Sequence, residues 1–455
     1  MAPKFGTSGL RGLVVDLTPD LVADHVHAFV AACDMGTGLY VGRDLRDSAP
    51  AIAAMVVDAA RAEGLDVTDC GAVPTPALAL AAMGAGAAAV MVTGSHIPAD
   101  RNGLKFYLPG GEIGKTDEAA ILSHLGRDSA GLTGTLTVND TAGADYVARY
   151  VTAYGAALAG LRIGVYSHSA VGRDLLLAVV TGLGGTPIEL GRSDHFIPVD
   201  TEAVDPAVAA QLRDWAAAQT LDAIISTDGD GDRPLLADGQ GRVIPGDILG
   251  QITGTALGAE VAATPVSSNT GAERVFDRVI RTRIGSPHVI AGMAQAQGRV
   301  IGYEANGGFL LGWDADGPAG VLPALATRDA VLPLVAPLAA AGNAGGLAAL
   351  VAQQPARFTA ADRLQGVATQ TSLGLVARLE TDPQDRATFL AEIDGMEQAL
   401  DRTDGLRVTL QDGRIVHLRP SGNAPELRLY VEADSPDAAA VTLERCLALL
   451  RRTLG

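Results

Sequence analysis

Short β-rich runs alternate with Ala/Leu-rich helical runs along most of this chain, and its strands end on polar loops in a recurring way. Alternation of this kind confines a chain to stacked α/β layers. Strands are expected over 38–42, 88–92, 162–166, 222–226 and 263–266, and helices over 49–62, 173–181 and 205–219. The strands ending at Val41, Tyr166 and Val266 run into Gly42-Arg43-Asp44, Ser167-His168-Ser169 and Ser267-Ser268-Asn269, each before a plausible helix start. Further along each stretch a second apolar strand stops at a denser polar cluster: Thr93-Gly94-Ser95-His96, Asp228-Gly229-Asp230, and Glu304-Ala305-Asn306. The spacing between first and second loops differs among the stretches, so related units rather than a strict repeat are expected. Ligands of open α/β sheets sit outside the carboxyl ends of strands, which makes these loops the candidates for function. The tail differs: 408–410, 415–418 and 427–432 read as antiparallel strands before a closing helix over 438–452. The expected domains are 1–143, 144–248, 249–360 and a smaller α+β domain over 361–455.

Composition narrows the function classes. The chain has 455 residues and a formal net charge of −18. Nucleic acid and anionic membranes need a basic footprint and are poor partners for it, whereas a small anionic ligand needs only a local positive pocket. Cys33, Cys70 and Cys446 are too few and too scattered for a disulfide framework or a zinc site, and fit a reducing cytoplasm. The uncharged runs 71–95 and 330–356 are broken by Pro and Gly, so buried elements are expected there, not bilayer spans. A monomer or weak homodimer is the expectation.

Four clusters carry the chemistry. Asp228-Gly-Asp230-Gly-Asp232-Arg233 places three carboxylates at alternate positions, able to converge on one hard divalent cation. It is no EF-hand, since Arg233 and Gly239 stand at its sixth and twelfth positions. Three carboxylates fall short of the oxygen shell Ca²⁺ prefers, which suggests Mg²⁺ held partly through a phosphate. The second cluster, Thr93-Gly94-Ser95-His96-Ile97-Pro98, is followed by Asn102-Gly103-Leu104-Lys105. Ser95 could be a nucleophile, but no G-x-S-x-G elbow exists to support a hydrolase triad. Lys105 is one of only three lysines, with Lys4 and Lys115, which points to a needed ammonium beside that serine. Arg419-Pro420-Ser421-Gly422-Asn423-Ala424-Pro425 with Arg428 offers guanidiniums, a hydroxyl, an amide and backbone donors for a phosphate. Phe5 to Gly12 is a glycine loop with one cation, Arg11. The G-x-G-x-x-A match over 84–89 is set aside, because a helical run precedes it and a strand follows. Lone histidines such as His25, His27 and His195 read as structural or exposed.

Together these clusters resemble the α-D-phosphohexomutases, the phosphomannomutase and phosphoglucomutase family. Phe5–Gly12, Thr93–Lys105, Asp228–Arg233, Glu304–Gly308 and Arg419–Arg428 occur in family order and span nearly the whole chain. The resemblance implies three related α/β domains with mixed sheets and a smaller α+β C-terminal domain around a central cleft. It implies a phosphate carried on Ser95 and Mg²⁺ held by Asp228, Asp230, Asp232 and an oxygen on Ser95. Hexose phosphates are then the substrates, with a hexose 1,6-bisphosphate as intermediate and activator. Arg11, His96, Lys105 and Arg233 would serve the reacting groups. Glu304, Asn306, His288, Arg419, Ser421, Gly422, Asn423 and Arg428 would bind substrate. Departures are visible: Gly94 and Ile97 replace the usual Ala and Asn of the serine loop, and Asn423-Ala424 replaces Thr-Glu. In the sugar loop, Asn306 and Gly308 stand where Ser and His are expected. The implied activity is an isomerase, a phosphomannomutase first, with phosphoglucomutase or dual activity as the alternative. A non-catalytic sugar-phosphate binder is disfavoured by the intact Ser95, Lys105 and aspartates, and a hydrolase by the need to exclude water while an intermediate reorients.

Overall fold

The protein is described from a computed structural model covering residues 3–6, 9–421 and 425–454. Three sheets follow one four-strand plan. In the first, Val67–Ala72, Leu39–Arg43 and Ala88–Val92 lie parallel in that spatial order, and Arg101–Leu108 closes antiparallel beside Ala88–Val92. The second orders Thr186–Leu190, Arg162–Tyr166 and Ala223–Thr227 in parallel, with Pro234–Asp238 antiparallel. The third places Arg278–Thr282, Val261–Pro265 and Val300–Tyr303 in parallel, then Phe309–Leu311 antiparallel. In chain order within each unit, the second strand lies on one side of the first and the third on the other. That is a topological switch point, so the loops after the first and third strands open side by side. The repeat is therefore closer in topology than the unequal loop spacing of the sequence suggested.

Strands at the centre of each unit are enclosed on both faces. Ala88–Val92, Ala223–Thr227 and Val261–Pro265 are buried at every position, as expected of parallel strands sandwiched by helices. Helix Ala49–Ala62 turns Ile52, Ala53, Val56, Val57 and Ala60 toward the sheet at helical spacing. One apolar core runs through all three units, joining Leu78, Tyr150, Ile225, Leu249, Phe309 and Leu334. The second and third units are also pinned by the Tyr146 and Tyr150 hydroxyls, which both donate to the Asp329 carboxylate.

The tail forms a five-stranded antiparallel sheet in the order Phe358–Gln365, Glu426–Ala433, Ile415–Pro420, Leu406–Leu410, Glu397–Asp401, backed by helix Pro436–Leu454. It has its own core and meets the third unit where Glu432 accepts from Thr270 N (3.0 Å) and Asp404 from Ile284 N (3.0 Å). The run 330–356 forms helices Leu332–Ala344 and Leu347–Ala352, and no helix among the described residues is long and apolar enough to cross a membrane.

Candidate active site

Ser95 sits on the turn after Ala88–Val92 with φ of 54°, a left-handed conformation that a residue with a side chain rarely adopts. What holds it there is Arg46, which sequence reasoning did not single out. Its guanidinium is 1% exposed and donates to the carbonyls of Ser95 (2.9 Å), Ile97 (2.6 Å), Pro98 (2.7 Å) and Arg101 (2.9 Å). Nε binds Asp44 at 3.1 Å, and the group stacks 3.9 Å from the centre of the Phe196 ring. Asp44 also accepts from Thr93 Oγ1 (2.7 Å), which in turn accepts from Ser95 N (2.8 Å). Burial pushes the Asp44 carboxyl up to about 6, against the pull of Arg46. Arg46 also explains Gly94: a Cβ there would lie 2.6 Å from the guanidinium carbon. The first loop of the unit thus anchors the second. The same holds in the next unit, where fully buried His168, on the loop after Arg162–Tyr166, binds the Thr227 carbonyl through Nε2 (2.8 Å) at the root of the aspartate loop.

The aspartates are no surface turn: Asp228, Asp230 and Asp232 are all fully buried. Ser95 Oγ donates to Asp228 Oδ2 at 2.6 Å. Lys105, on strand Arg101–Leu108, is 4% exposed and bridges Asp230 Oδ2 (2.5 Å) and Asp232 Oδ2 (2.7 Å). Thr75, at the start of helix Thr75–Gly84, donates its hydroxyl to Asp230 Oδ2 (2.6 Å) and its N–H to the Asp230 carbonyl (2.9 Å). Both glycines of the loop are dictated by space. Gly231 has φ of 74°, and a Cβ on Gly229 would lie 2.8 Å from the Ser95 carbonyl oxygen. Burial and the neighbouring carboxylates push Asp228 well above the usual carboxylate range; at Asp230 burial is outweighed by Lys105 and Thr75, which hold it low.

These residues fit a hard divalent cation. Oxygens of the three carboxylates lie within 4.8 Å of one another. Asp230 Oδ1 and Asp232 Oδ1 are buried without a hydrogen-bond partner. Buried acceptors left unmatched are costly, and an oxygen-seeking cation satisfies them.

His96 follows Ser95 and is held neutral. Burial and the Arg233 guanidinium lower it to about 3, and Arg233 Nη1 faces its Nδ1 at 3.0 Å. Arg11, on strand Leu10–Leu13, is lowered to about 10 by burial and by Arg233, so it belongs to the same cluster. Thr7 and Ser8 of that motif lie outside the described residues. On the third unit Glu304 and Asn306 are buried in the turn between Val300–Tyr303 and Phe309–Leu311, and Asn306 Oδ1 accepts from Gly308 N at 2.9 Å. Thr201, on a strap not anticipated from the sequence, donates to the Asn306 carbonyl (2.8 Å), while Phe196 of the same strap covers Arg46.

In the tail, Arg419 and Arg428 are directly paired across neighbouring antiparallel strands, so their side chains share a face. Arg419 Nε rests on Asp404 (2.8 Å) and Arg428 Nε on Glu426 (2.9 Å). Ser421, just past the end of strand Ile415–Pro420, is buried; Gly422 and Asn423 lie outside the described residues. His288, on helix Ser286–Met293, has Arg283, Lys115, Asp404 and Arg419 among its charged neighbours.

Carboxylates and cations packed around one hydroxyl suit the transfer of a doubly charged phosphoryl group, whose chemistry asks for positioning and charge neutralisation. The class defined by this fold and site is a phosphohexose mutase. The chain matches the profiles described as phosphoglucomutase/phosphomannomutase alpha/beta/alpha domain I over residues 2–131, alpha/beta/alpha domain III over 246–358, and C-terminal domain over 375–448. It is 45% identical to a phosphomannomutase of Sinorhizobium fredii over 100% of both chains. A phosphomannomutase of Salmonella muenchen is 42% identical over 99% of this chain and 96% of its own. The crystal structure of a putative phosphomannomutase from Thermus thermophilus superposes with a TM-score of 0.80 at 22% identity, covering 99% of both chains. The protein belongs to the phosphoglucomutase/phosphomannomutase family and is an isomerase.

Proposed function

We propose that this enzyme interconverts mannose 6-phosphate and mannose 1-phosphate, with Ser95 as phosphoryl carrier and a hexose 1,6-bisphosphate as intermediate and activator. The observation that carries the reading is Ser95 Oγ seated 2.6 Å from Asp228, beside a lysine that bridges Asp230 and Asp232. In the first half-reaction the bond from phosphorus to Ser95 Oγ breaks as one to the free sugar hydroxyl forms. The hydroxyl proton ends on Ser95 Oγ, whose hydrogen bond Asp228 Oδ2 accepts. Arg11 and Lys105 supply positive charge at the reacting oxygens, and Arg233 orients His96. After the bisphosphate turns over in the cleft, its other phosphate returns to Ser95. Mg²⁺ held by Asp228, Asp230, Asp232 and an oxygen on Ser95 would neutralise the charge spread over the transferring group. Arg419, Ser421, Asn423, Gly422 and Arg428 would hold the phosphate that is not reacting, with His288 beside them. Each of the domains 1–143, 144–248, 249–360 and 361–455 thus contributes one loop. Unpaired cysteines suit a cytoplasmic setting for this enzyme.

Replacing Asp230 by Asn removes a ligand charge while keeping the shape that Thr75 and Lys105 grip. Turnover should fall by about a hundredfold and the Mg²⁺ concentration for half-maximal rate should rise by about tenfold, with the melting temperature little changed. An Asp230→Asn enzyme with wild-type Mg²⁺ dependence would move the metal site elsewhere.

Both mannose and glucose phosphates should be accepted. A pocket that holds the sugar in two orientations can read only hydroxyls that fall in similar places after the flip, those on carbons 3 and 4. Glu304 would accept from that pair. The two sugars differ at carbon 2, and strong rejection would need a buried polar group left unpaired by the wrong epimer. A coupled assay on mannose 1-phosphate and glucose 1-phosphate, with bisphosphate supplied, should give kcat/KM values within about a hundredfold. A ratio near ten thousand would reveal a carbon-2 reader, and Asn306 is the first position to mutate.

A further inference from the structure

Arg328 lies on strand Leu325–Asp329 of the third unit, and its side chain is enclosed to 2% exposure. Nη2 is 2.8 Å from Asp232 Oδ2, Nη1 is 3.5 Å from Glu304 Oε2, and Nε is 3.5 Å from Glu112 Oε1. The three carboxylates come from three different units: Glu112 from the first, Asp232 from the aspartate loop of the second, Glu304 from the sugar loop of the third. Glu112 is further tied to the third unit by Ser286 Oγ (2.7 Å) and Thr327 Oγ1 (3.2 Å). A planar guanidinium presents five donors in a fixed fork, so it can hold three carboxylates in a set relation, whereas an ammonium is a point charge on a flexible stem.

A second observation concerns position 308. A Cβ on Gly308 would lie 2.9 Å from Arg328 Cδ and 3.2 Å from its Cγ. The stem of Arg328 therefore fills the space that a side chain at 308 would need. The buried position of Arg328 and the glycine at 308 therefore depend on each other.

We infer that Arg328 is a positioning residue that, packed against Gly308, holds the sugar-reading Glu304 and the metal-loop Asp232 in a fixed relation. The inference rests on the hexose-phosphate reading of this site. Removing the guanidinium has two opposite consequences. Glu304 loses its restraint, so hexose phosphate binds less well. Asp232 loses a neighbouring positive charge, so the aspartate triad attracts a divalent cation more strongly. A residue that merely supported the fold would weaken both.

The experiment compares Arg328→Met, Arg328→Lys and Gly308→Ala with the wild-type chain, at matched Ser95 phosphorylation checked by intact mass. Steady-state kinetics give KM for both hexose 1-phosphates, and calorimetry on the resting protein gives Mg²⁺ affinity. Arg328→Met should raise KM by about tenfold and tighten Mg²⁺ by about threefold or more. Arg328→Lys keeps the charge but not the fork: Mg²⁺ affinity should stay within about twofold while KM still rises. Gly308→Ala should raise KM by pushing the Arg328 stem aside. Unchanged KM in Arg328→Met, or parallel loss of Mg²⁺ and sugar affinity, overturns the inference. If Arg328→Met does not fold, an unchanged KM in Arg328→Lys overturns it equally. A wild-type chain inactive on both sugar phosphates overturns the functional reading, and this inference with it.

Discussion

A Ser95→Ala enzyme is expected to lose turnover by on the order of 10⁴-fold or more while remaining folded. The proposed mechanism passes every phosphoryl group through this hydroxyl, while Lys105 beside it is engaged by Asp230 and Asp232, and His96 by Arg233. The fold should tolerate the change because the backbone of residue 95 is gripped independently of its side chain. Thr93 Oγ1 accepts from its N–H and Arg46 donates to its carbonyl. Alanine meets the same strain as serine at a φ of 54°, and the lost hydrogen bond to Asp228 costs about 1 kcal/mol. The wild-type protein, incubated with glucose 1,6-bisphosphate, should gain one phosphoryl group that peptide mapping places on Ser95; the variant should gain none. Labelling at another residue, or substantial turnover without the hydroxyl, would remove Ser95 from the mechanism.

Arg46→Ala should destabilise the first unit by about 3–5 kcal/mol, because it leaves Asp44 buried without its cation and takes a donor from each of four loop carbonyls. The Ser95 turn would then relax out of its left-handed conformation, so turnover should fall by at least about a hundredfold even below the melting temperature. Differential scanning calorimetry together with amide exchange across residues 93–103 would read both effects. Arg46→Lys should recover little of the loss, since an ammonium has only three donors and no plane to lay on Phe196. A variant that melts like wild type and keeps its rate would show that the loop is held by something else.

The amino-acid sequence by itself determined the elements and the chemistry they carry. Strands Ala88–Val92 and Arg162–Tyr166 and helix Ala49–Ala62 stand where periodicity placed them; other ends moved by a few residues, as at Val261–Pro265, because element ends are weakly encoded. The alternating aspartates and the lysine kept in a lysine-poor chain were readable because a site needing convergent charge concentrates it locally. Tertiary structure alone decided which other charges belong there. Asp44 and His168 stand in loops that the strand ends mark, and Arg46 and Arg328 among ordinary polar residues, but nothing in their local pattern says that they are buried. Each is kept in the interior by partners that packing supplies: Arg46 by carbonyls about fifty residues away, Arg328 by carboxylates of three separate units. Periodicity reports which face of an element is apolar. It does not report that a charge has been desolvated, because the compensating partner for a buried charge is supplied by another segment and exists only once the chain has packed.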